Sequence, residues 1–112
     1  MSDLTWDEFE RVDLRVATIT AAEPLEGARR PAYKLTLDVG PEIGIRHSSA
    51  QLTALYAPED LVGRQVMCVV NFPPKRIAGF KSEALVTGLY RDDGAVVLIA
   101  PDTPVPNGAK LG

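Results

Sequence analysis

The residues best suited to contact a ligand lie together in residues 71–83. This stretch combines three cations, two aromatic rings, an amide and a hydroxyl, and the prolines at positions 73 and 74 stiffen the chain that presents them. Arg and Lys bind phosphates, aromatic rings stack on unpaired bases, and amides or hydroxyls reach base edges or a ribose 2′-hydroxyl. A solvated turn whose phenylalanines belong to the core would have the same composition, so both interpretations stay open.

A second basic group precedes this stretch, at Arg29, Arg30 and Lys34. Taken alone it is typical of a solvated surface. It would add to a binding site only if folding brought it close to Lys75 and Arg76.

An enzymatic function would depend on His47, the one histidine of the chain. If its segment is a strand, only Ser49 of the two following serines shares a face with the imidazole, and nothing completes a triad. The sequence also lacks the nucleophile elbow, the phosphate-binding and dinucleotide glycine motifs and the zinc deaminase signature. We therefore predict that the protein is not an enzyme and uses no cofactor.

Metal and disulfide chemistry find little support either. Cys68 is the one cysteine, which excludes an internal disulfide, and together with His47 it leaves too few soft ligands for a zinc site. The acidic pairs at 59–60 and 92–93 lack metal-ligand spacing. Cys68 lies in an apolar run, so we expect it to behave as a small hydrophobic residue.

Length and composition predict one globular domain spanning residues 1–112. Hydrophobic residues make up 46% and charged residues 24% of the chain, which argues against a disordered or collagen-like protein. No apolar run reaches the roughly 18 residues that a membrane span needs, and the first residues are acidic. These features predict a cytoplasmic protein that does not insert into a membrane.

Charge is unevenly distributed along the chain. The net charge of −3 argues against a general nucleic-acid binder. Residues 29–91 nevertheless carry nine basic and five acidic side chains between two acidic ends. Folding would turn this segment either into a patch for phosphate or an acidic partner, or into scattered surface charges.

Local patterns predict the elements that position these residues. Thr5 and Glu8 have capping-box spacing, and Leu4 and Phe9 occupy the positions of a hydrophobic staple. A short helix is therefore expected to begin near Trp6.

Apolar alternation or short apolar runs predict the strands, at residues 12–20, 33–39, 43–49, 65–71, 82–90 and 95–100. Residues 23–31 read as a loop, residues 51–56 as a short helix that must end before Pro58, and the tail from Pro101 as coil. The absence of strand-helix-strand alternation favours an all-β fold. We predict a five-stranded OB-fold barrel with short flanking helices and terminal extensions.

The sequence resembles the CsaA-type secretion chaperones, a free-standing branch of the tRNA-binding-domain family that is otherwise appended to methionyl- and phenylalanyl-tRNA synthetases. The likeness runs from Phe9 to the C-terminus. It is carried by residues 13–16, 31–35, 44–53, 56–63, 69–83 and 101–108.

The resemblance implies an OB-fold barrel that forms a homodimer through extensions around the barrel. In the family, the counterpart of residues 71–83 contributes to a tRNA-contacting surface, with its basic residues and Ser-Glu pair as recognisable elements. This implies contacts at Asn71, Lys75, Arg76, Lys81 and Ser82. Many tRNA-binding members have a serine-glycine-hydrophobic step where this chain reads Ser48-Ser49-Ala50-Gln51, and the Gln51 version resembles the chaperone branch.

The chaperone branch implies ATP-independent holding of unfolded or export-bound polypeptides, with the export machinery as a further partner. We expect Phe72, Phe80 and Ile77 to give apolar contact. Arg46, Lys75 and Arg76 would attract acidic or backbone groups. Recognition of tRNA shape and backbone by the same surface is the alternative. The predicted contact residues are Arg46, Ser49, Gln51, Asn71, Phe72, Lys75, Arg76, Ile77, Phe80, Lys81, Ser82 and Glu83.

Overall fold

Antiparallel strands are the main secondary structure of the molecule, which is described by a computed structural model over residues 2–112. Five of them form one sheet in the order β3-β2-β1-β4-β7, and two further pairs, β5-β6 and β8-β9, form separate ribbons. The strands are β1 (Leu14–Pro24), β2 (Tyr33–Asp38), β3 (Ile45–Ala50), β4 (Gln65–Val69), β5 (Lys75–Ile77), β6 (Phe80–Ser82), β7 (Leu85–Val86), β8 (Gly88–Tyr90) and β9 (Val96–Leu98).

The long strand β1 organises the five-stranded sheet. Its first half pairs with β4 and its second half with β2, and the register shifts between Ile19 and Ala21. Such an irregularity bends a strand, which lets β1 pair with both β4 and β2 as the sheet curves. The sheet forms a nearly closed five-stranded antiparallel barrel, which confirms the predicted all-β OB-fold.

The barrel core follows from alternation along the strands. In β2, Tyr33, Leu35 and Leu37 are buried while the residues between them are partly exposed. The same inward face is continued by β1 and β4. Fully buried members of the core are Ala17, Ile19, Leu35, Leu37, Val39, Leu61, Val66 and Cys68.

Three short helices flank the barrel: α1 (Trp6–Glu10), α2 (Gly40–Ile43) and α3 (Pro58–Leu61). The predicted capping box of α1 is confirmed, because Glu8 N donates to Thr5 Oγ1 at 3.2 Å and Thr5 N donates to Glu8 Oε1 at 3.1 Å. None of the five α1 residues is buried. The helix is therefore held by its cap, and its apolar side chains are left at the surface.

The helix predicted over residues 51–56 is wrong. The chain turns there instead, with one helical hydrogen bond from Tyr56 N to Leu52 O at 3.2 Å. Pro58 does not end a helix but begins α3, since its fixed φ suits the first helical position and its missing N–H has no partner to lose there. A further short helix, α2, lies where the predicted strands 33–39 and 43–49 meet.

The strand predicted over residues 82–90 is interrupted at residues 83–84, between β6 and β7, and again at Thr87. Its backbone N–H and its hydroxyl both donate to Met67 O at 2.9 Å. The following strand, β8, pairs with β9 in a separate ribbon, and just after β9 Ile99 O accepts from Met67 N at 3.1 Å. No strand is predicted between residues 71 and 82, but residues 75–82 form the β5-β6 ribbon.

The C-terminal tail is coil, as predicted, and it is fastened along β1. Val16 N donates to Ala109 O and Leu111 N to Leu14 O, both at 2.9 Å, and Arg15 Nη1 donates to Gly108 O at 3.0 Å. The tail passes so close to Gly40 that a Cβ added to this glycine would lie 2.3 Å from Asn107 O. No helix within residues 2–112 is long and apolar enough to cross a membrane.

Candidate ligand-binding surface

The cation-rich stretch folds as a β-hairpin, residues 75–82, which we call the hairpin. Its strands are joined by Ala78 and Gly79, whose φ angles of 51° and 80° are both positive. Positive φ at both central residues defines the type I′ turn that matches the twist of a two-residue hairpin. Alanine is an unusual residue at such a position, and a Cβ added at Gly27 of the β1-β2 loop would lie 3.7 Å from the Ala78 Cβ.

The register of the hairpin sorts the predicted contact residues onto two faces. Arg76 lies opposite Lys81, and these two side chains project from one face. The other face carries Lys75 opposite Ser82 and Ile77 opposite Phe80. The sequence-predicted set is therefore divided by the hairpin and does not line a single groove.

We call Arg76 and Lys81 the cation face. Both side chains are exposed, and neither forms an ion pair with any residue in the described range 2–112. Arg76 Nη1 reaches only Gly79 O, at 3.4 Å. Like charges directly opposite each other on a ribbon repel, so a bound anion would stabilise this arrangement.

The second face of the hairpin packs toward β3. The Phe80 ring meets His47 edge to face, with 6.1 Å between ring centroids and 85° between planes, and Ile77 and Phe80 are half-buried. Phe72, by contrast, is 56% exposed. Of the two predicted aromatic contacts, Phe80 therefore packs mainly against β3, while the ring of Phe72 is accessible to a ligand.

A cleft of about 510 Å³ separates the hairpin tip from the end of β1 and the start of the following loop. Glu23, Glu26, Lys34 and Phe80 contribute to its lining. Lys34 Nζ lies 3.1 Å from Glu23 Oε1, so its charge is paired within the cleft. Of the second basic group, Lys34 therefore lies beside the hairpin tip, but its charge is already paired.

Ser82 and Glu83 face β3. Ser49 N donates to Ser82 Oγ at 3.1 Å, and His47 contributes both its backbone N–H, at 3.3 Å, and its ring Nδ1, at 3.0 Å, to Glu83 Oε1. Burial acts to raise the pKa of Glu83, but the hydrogen bonds and charge of His47 and the charge of Lys81 together hold this pKa below its ordinary value. The carboxylate is therefore ionised at neutral pH and already engaged.

Asn71 joins two distant parts of the backbone. Its Oδ1 accepts from Asp13 N at 3.1 Å, and its Nδ2 donates to Arg11 O at 2.6 Å. The amide fastens the connection between α1 and β1 to the end of β4.

The predicted contacts on and after β3 do not share a face. Arg46 pairs in register with the buried Leu37, whereas Ser49 pairs with Lys34 on the outer side. The guanidinium of Arg46 forms a hydrogen bond with the preceding residue, with Nη1 donating to Ile45 O at 3.2 Å. Gln51 is exposed just beyond the strand.

One surface was not singled out by the sequence. Trp6, Phe9, Val12 and Leu111 surround a cleft of about 260 Å³ between α1 and the C-terminal tail, and we call these four residues the terminal apolar patch. Trp6 is 64% exposed and its ring centroid lies 5.3 Å from that of Phe9. The signal in the sequence was a Trp and a Phe on a predicted helix too short to bury them, which indicates an exposed apolar surface.

Within residues 2–112, neither a thiol nor a metal site is exposed beside the hairpin. Cys68 is fully buried, and burial, with a smaller contribution from the charge of Asp13, raises its pKa to about 11. Within residues 2–112 no three His, Cys, Asp or Glu side chains are grouped to hold a metal ion.

A nearly closed five-stranded barrel with a cationic hairpin packed on one strand has the architecture of an OB-fold. The family model described as "Putative tRNA binding domain" matches residues 14–110, and the chain belongs to this tRNA-binding-domain family.

Solved structures and curated relatives agree with this family. The chaperone CsaA of Bacillus anthracis str. Ames is 50% identical, with a TM-score of 0.92 over 99% of this chain and 100% of that chain. The CsaA chaperone of Picrophilus torridus is 42% identical, with a TM-score of 0.91 over 98% and 100%. A methionine–tRNA ligase of Thiobacillus denitrificans is 39% identical over 94% of this chain, but the match spans only 16% of that ligase.

Proposed function

We propose that this protein is an ATP-independent chaperone that holds unfolded or export-bound polypeptides. The observation that carries the proposal is that the ring of Phe72 and the cation of Lys75, three residues further along the chain, are both exposed. The similarity of the chain to CsaA chaperones over almost its full length supports it. An unfolded polypeptide offers apolar side chains together with backbone carbonyls and carboxylates. A surface with both an apolar group and unpaired cations can contact all of these.

Holding needs no nucleotide, because the free energy comes from burying apolar surface and from hydrogen bonds to the extended chain. Ile77 and Phe80 keep the hairpin on the barrel and expose their remaining surface beside Lys75. Gln51 and Ser49, at the end of β3, can supply further polar contacts.

The proposal is tested by diluting a chemically denatured enzyme into buffer and following light scattering, with and without ATP. We expect the protein to suppress the scattering equally in both conditions. Unchanged aggregation at a several-fold molar excess of the protein would contradict the proposal.

Binding of tRNA is the second candidate, and the cation face favours it. Two adjacent cations without ion-pair partners in the described residues suit two backbone phosphates. Phosphate contacts release counterions, so binding of bulk tRNA would fall steeply with salt. The double variant Arg76→Ala/Lys81→Ala would flatten that dependence, whereas Arg91→Ala, which removes a cation paired with Asp93 on the β8-β9 ribbon, would not.

We further propose a homodimer in which two copies meet through the terminal apolar patch. Exposed Trp6 and Leu111 lie on the two chain extensions that flank the barrel, and burying them against a second copy would remove this apolar surface from water. Two hairpins in one dimer would raise avidity for a long polypeptide.

Light scattering should give twice the chain mass of 12.1 kDa, and Trp6→Glu should give the monomer mass. A monomeric wild-type protein at micromolar concentration would refute the dimer. A single folding domain, a non-enzymatic role, a cytoplasmic location and an interaction with the export machinery complete the proposal.

A further inference from the structure

The strand β3 lies at the edge of the five-stranded sheet, so one side of its backbone is not paired with another strand of that sheet. An open edge leaves N–H and C=O groups without partners and can attract other chains. On this side of β3, the backbone groups of His47 and Ser49 find their partners at the end of the hairpin.

At this edge, hydrogen bonds to the side chains of Ser82 and Glu83 and from the backbone of residues 83 and 84 take the place of strand pairing. His47 N donates to Glu83 Oε1 at 3.3 Å, and Ser49 N donates to Ser82 Oγ at 3.1 Å. In return, His47 O accepts from Glu83 N at 2.7 Å and from Ala84 N at 3.2 Å. The ring Nδ1 of His47 adds a contact of 3.0 Å to the same carboxylate oxygen.

We propose that Ser82 and Glu83 are positioning residues, an edge latch that holds the hairpin on β3 so that the cation face projects outward. They act on ligand binding through the hairpin and do not touch the ligand. The effect on binding rests on the proposed function, whereas the structural effect of the latch does not.

The hairpin needs such an attachment. Its two strands have three residues each, and an isolated two-stranded ribbon is at best marginally stable in water. Packing of Ile77 and Phe80 supplies part of the attachment. The hydrogen bonds of Ser82 and Glu83 fix the register of the hairpin along β3.

Burial and charge both argue against direct ligand contact by Glu83. Its side chain is 24% exposed, and its Oε1 receives two hydrogen bonds from His47. A carboxylate next to Lys81 would also repel a phosphate that approached the cation face. Removing this charge should therefore strengthen polyanion binding if the hairpin stays in place, and weaken it if the hairpin is released.

Three variants separate these effects: Glu83→Ala, which removes the latch; Glu83→Gln, which removes the charge but keeps the hydrogen-bond acceptor; and Asp102→Ala, which removes an exposed carboxylate from the tail as a matched control. Hydrogen exchange of the amides in residues 75–82, relative to those of β2, reports the hairpin without any ligand. Fluorescence anisotropy with bulk tRNA at 50 mM salt reports binding.

For Glu83→Ala we expect at least tenfold faster exchange in residues 75–82 with β2 unchanged, and about tenfold weaker tRNA binding. This loss corresponds to a binding-competent hairpin populated about one tenth of the time. Asp102→Ala should retain wild-type exchange, and Glu83→Gln should exchange much more slowly in residues 75–82 than Glu83→Ala because it keeps the hydrogen-bond acceptor. Both should bind tRNA as well as or better than wild type.

Wild-type exchange rates in Glu83→Ala would overturn the latch. The latch would also be overturned if Glu83→Gln and Glu83→Ala bound tRNA equally weakly while residues 75–82 stayed protected from exchange in both. If wild-type protein binds no tRNA, the tRNA candidate fails, while the exchange experiment still decides whether the latch exists. Faster exchange throughout β2 as well would show a general loss of stability and would also contradict a local latch.

Discussion

Replacing Phe72 by alanine is the sharpest test of the apolar contact proposed for the polypeptide. The ring is 56% exposed, so more than half of its surface is available to be buried by a ligand. A Phe side chain presents about 200 Å², and the exposed part is therefore about 110 Å². At about 25 cal/mol per Å², complete burial of that part would contribute about 3 kcal/mol.

Partial burial is more realistic for a binder of many sequences, and half of this value is about 1.4 kcal/mol, or tenfold in Kd. We therefore expect Phe72→Ala to bind an unfolded polypeptide 10- to 100-fold more weakly. Because the ring is largely exposed, the free energy of unfolding should change by less than about 1 kcal/mol.

The assay is fluorescence anisotropy with labelled, reduced and carboxymethylated lactalbumin, a permanently unfolded polypeptide. Leu89→Ala is the matched control, because Leu89 is 61% exposed and lies on the β8-β9 ribbon away from the hairpin. Equal affinity of wild type and Phe72→Ala, or equal losses for Phe72→Ala and Leu89→Ala, would refute the assignment of the contact to Phe72.

Three further predictions concern stability and reactivity. The pKa of Glu83 lies below its ordinary value of 4.5, so the ionised carboxylate should stabilise the fold above that pH and lose this effect as the pH falls through the lowered pKa. The free energies of unfolding of wild type and Glu83→Gln, measured in urea, should therefore converge in acid. A difference that stays constant with pH would contradict this. Cys68, with a pKa of about 11, should resist a disulfide reagent at pH 8 until the protein is unfolded, and rapid native labelling would be the contrary result. Asn71→Ala should lower the free energy of unfolding by about 1 to 2 kcal/mol, since both backbone hydrogen bonds to residues 11 and 13 are lost; a loss of ligand affinity without destabilisation would instead make Asn71 a ligand contact.

Elements governed by local physics were predictable from the sequence. The capping box at Thr5 and Glu8 and the alternation of β2 depend on residues a few positions apart, and both are present in the structure. The predicted helix at 51–56 failed because tertiary contacts decide that segment. Tyr56 O accepts from Tyr33 Oη at 2.7 Å, and Tyr56 Oη accepts from Leu98 N at 3.1 Å.

The hairpin shows where sequence reasoning about the site ends. Composition identified the cations, but their division between two faces depends on the Ala78-Gly79 turn, which is not one of the common Asn-Gly or Asp-Gly signals. The roles of Asn71 and Glu83 depend on partners 58 to 60 and 36 positions away in the chain. No local pattern reveals such pairings.

The central claim, that the surface around the hairpin holds polypeptides, is tested most directly by comparing two ligands across salt. The unfolded lactalbumin and bulk tRNA would each be titrated with the wild-type protein between roughly 50 and 200 mM salt. We predict that polypeptide affinity changes less than about threefold, because apolar burial is weakly salt-dependent, while any tRNA binding falls steeply. Negligible polypeptide binding across the series, together with tRNA binding that persists at the upper salt concentration, would contradict the chaperone account.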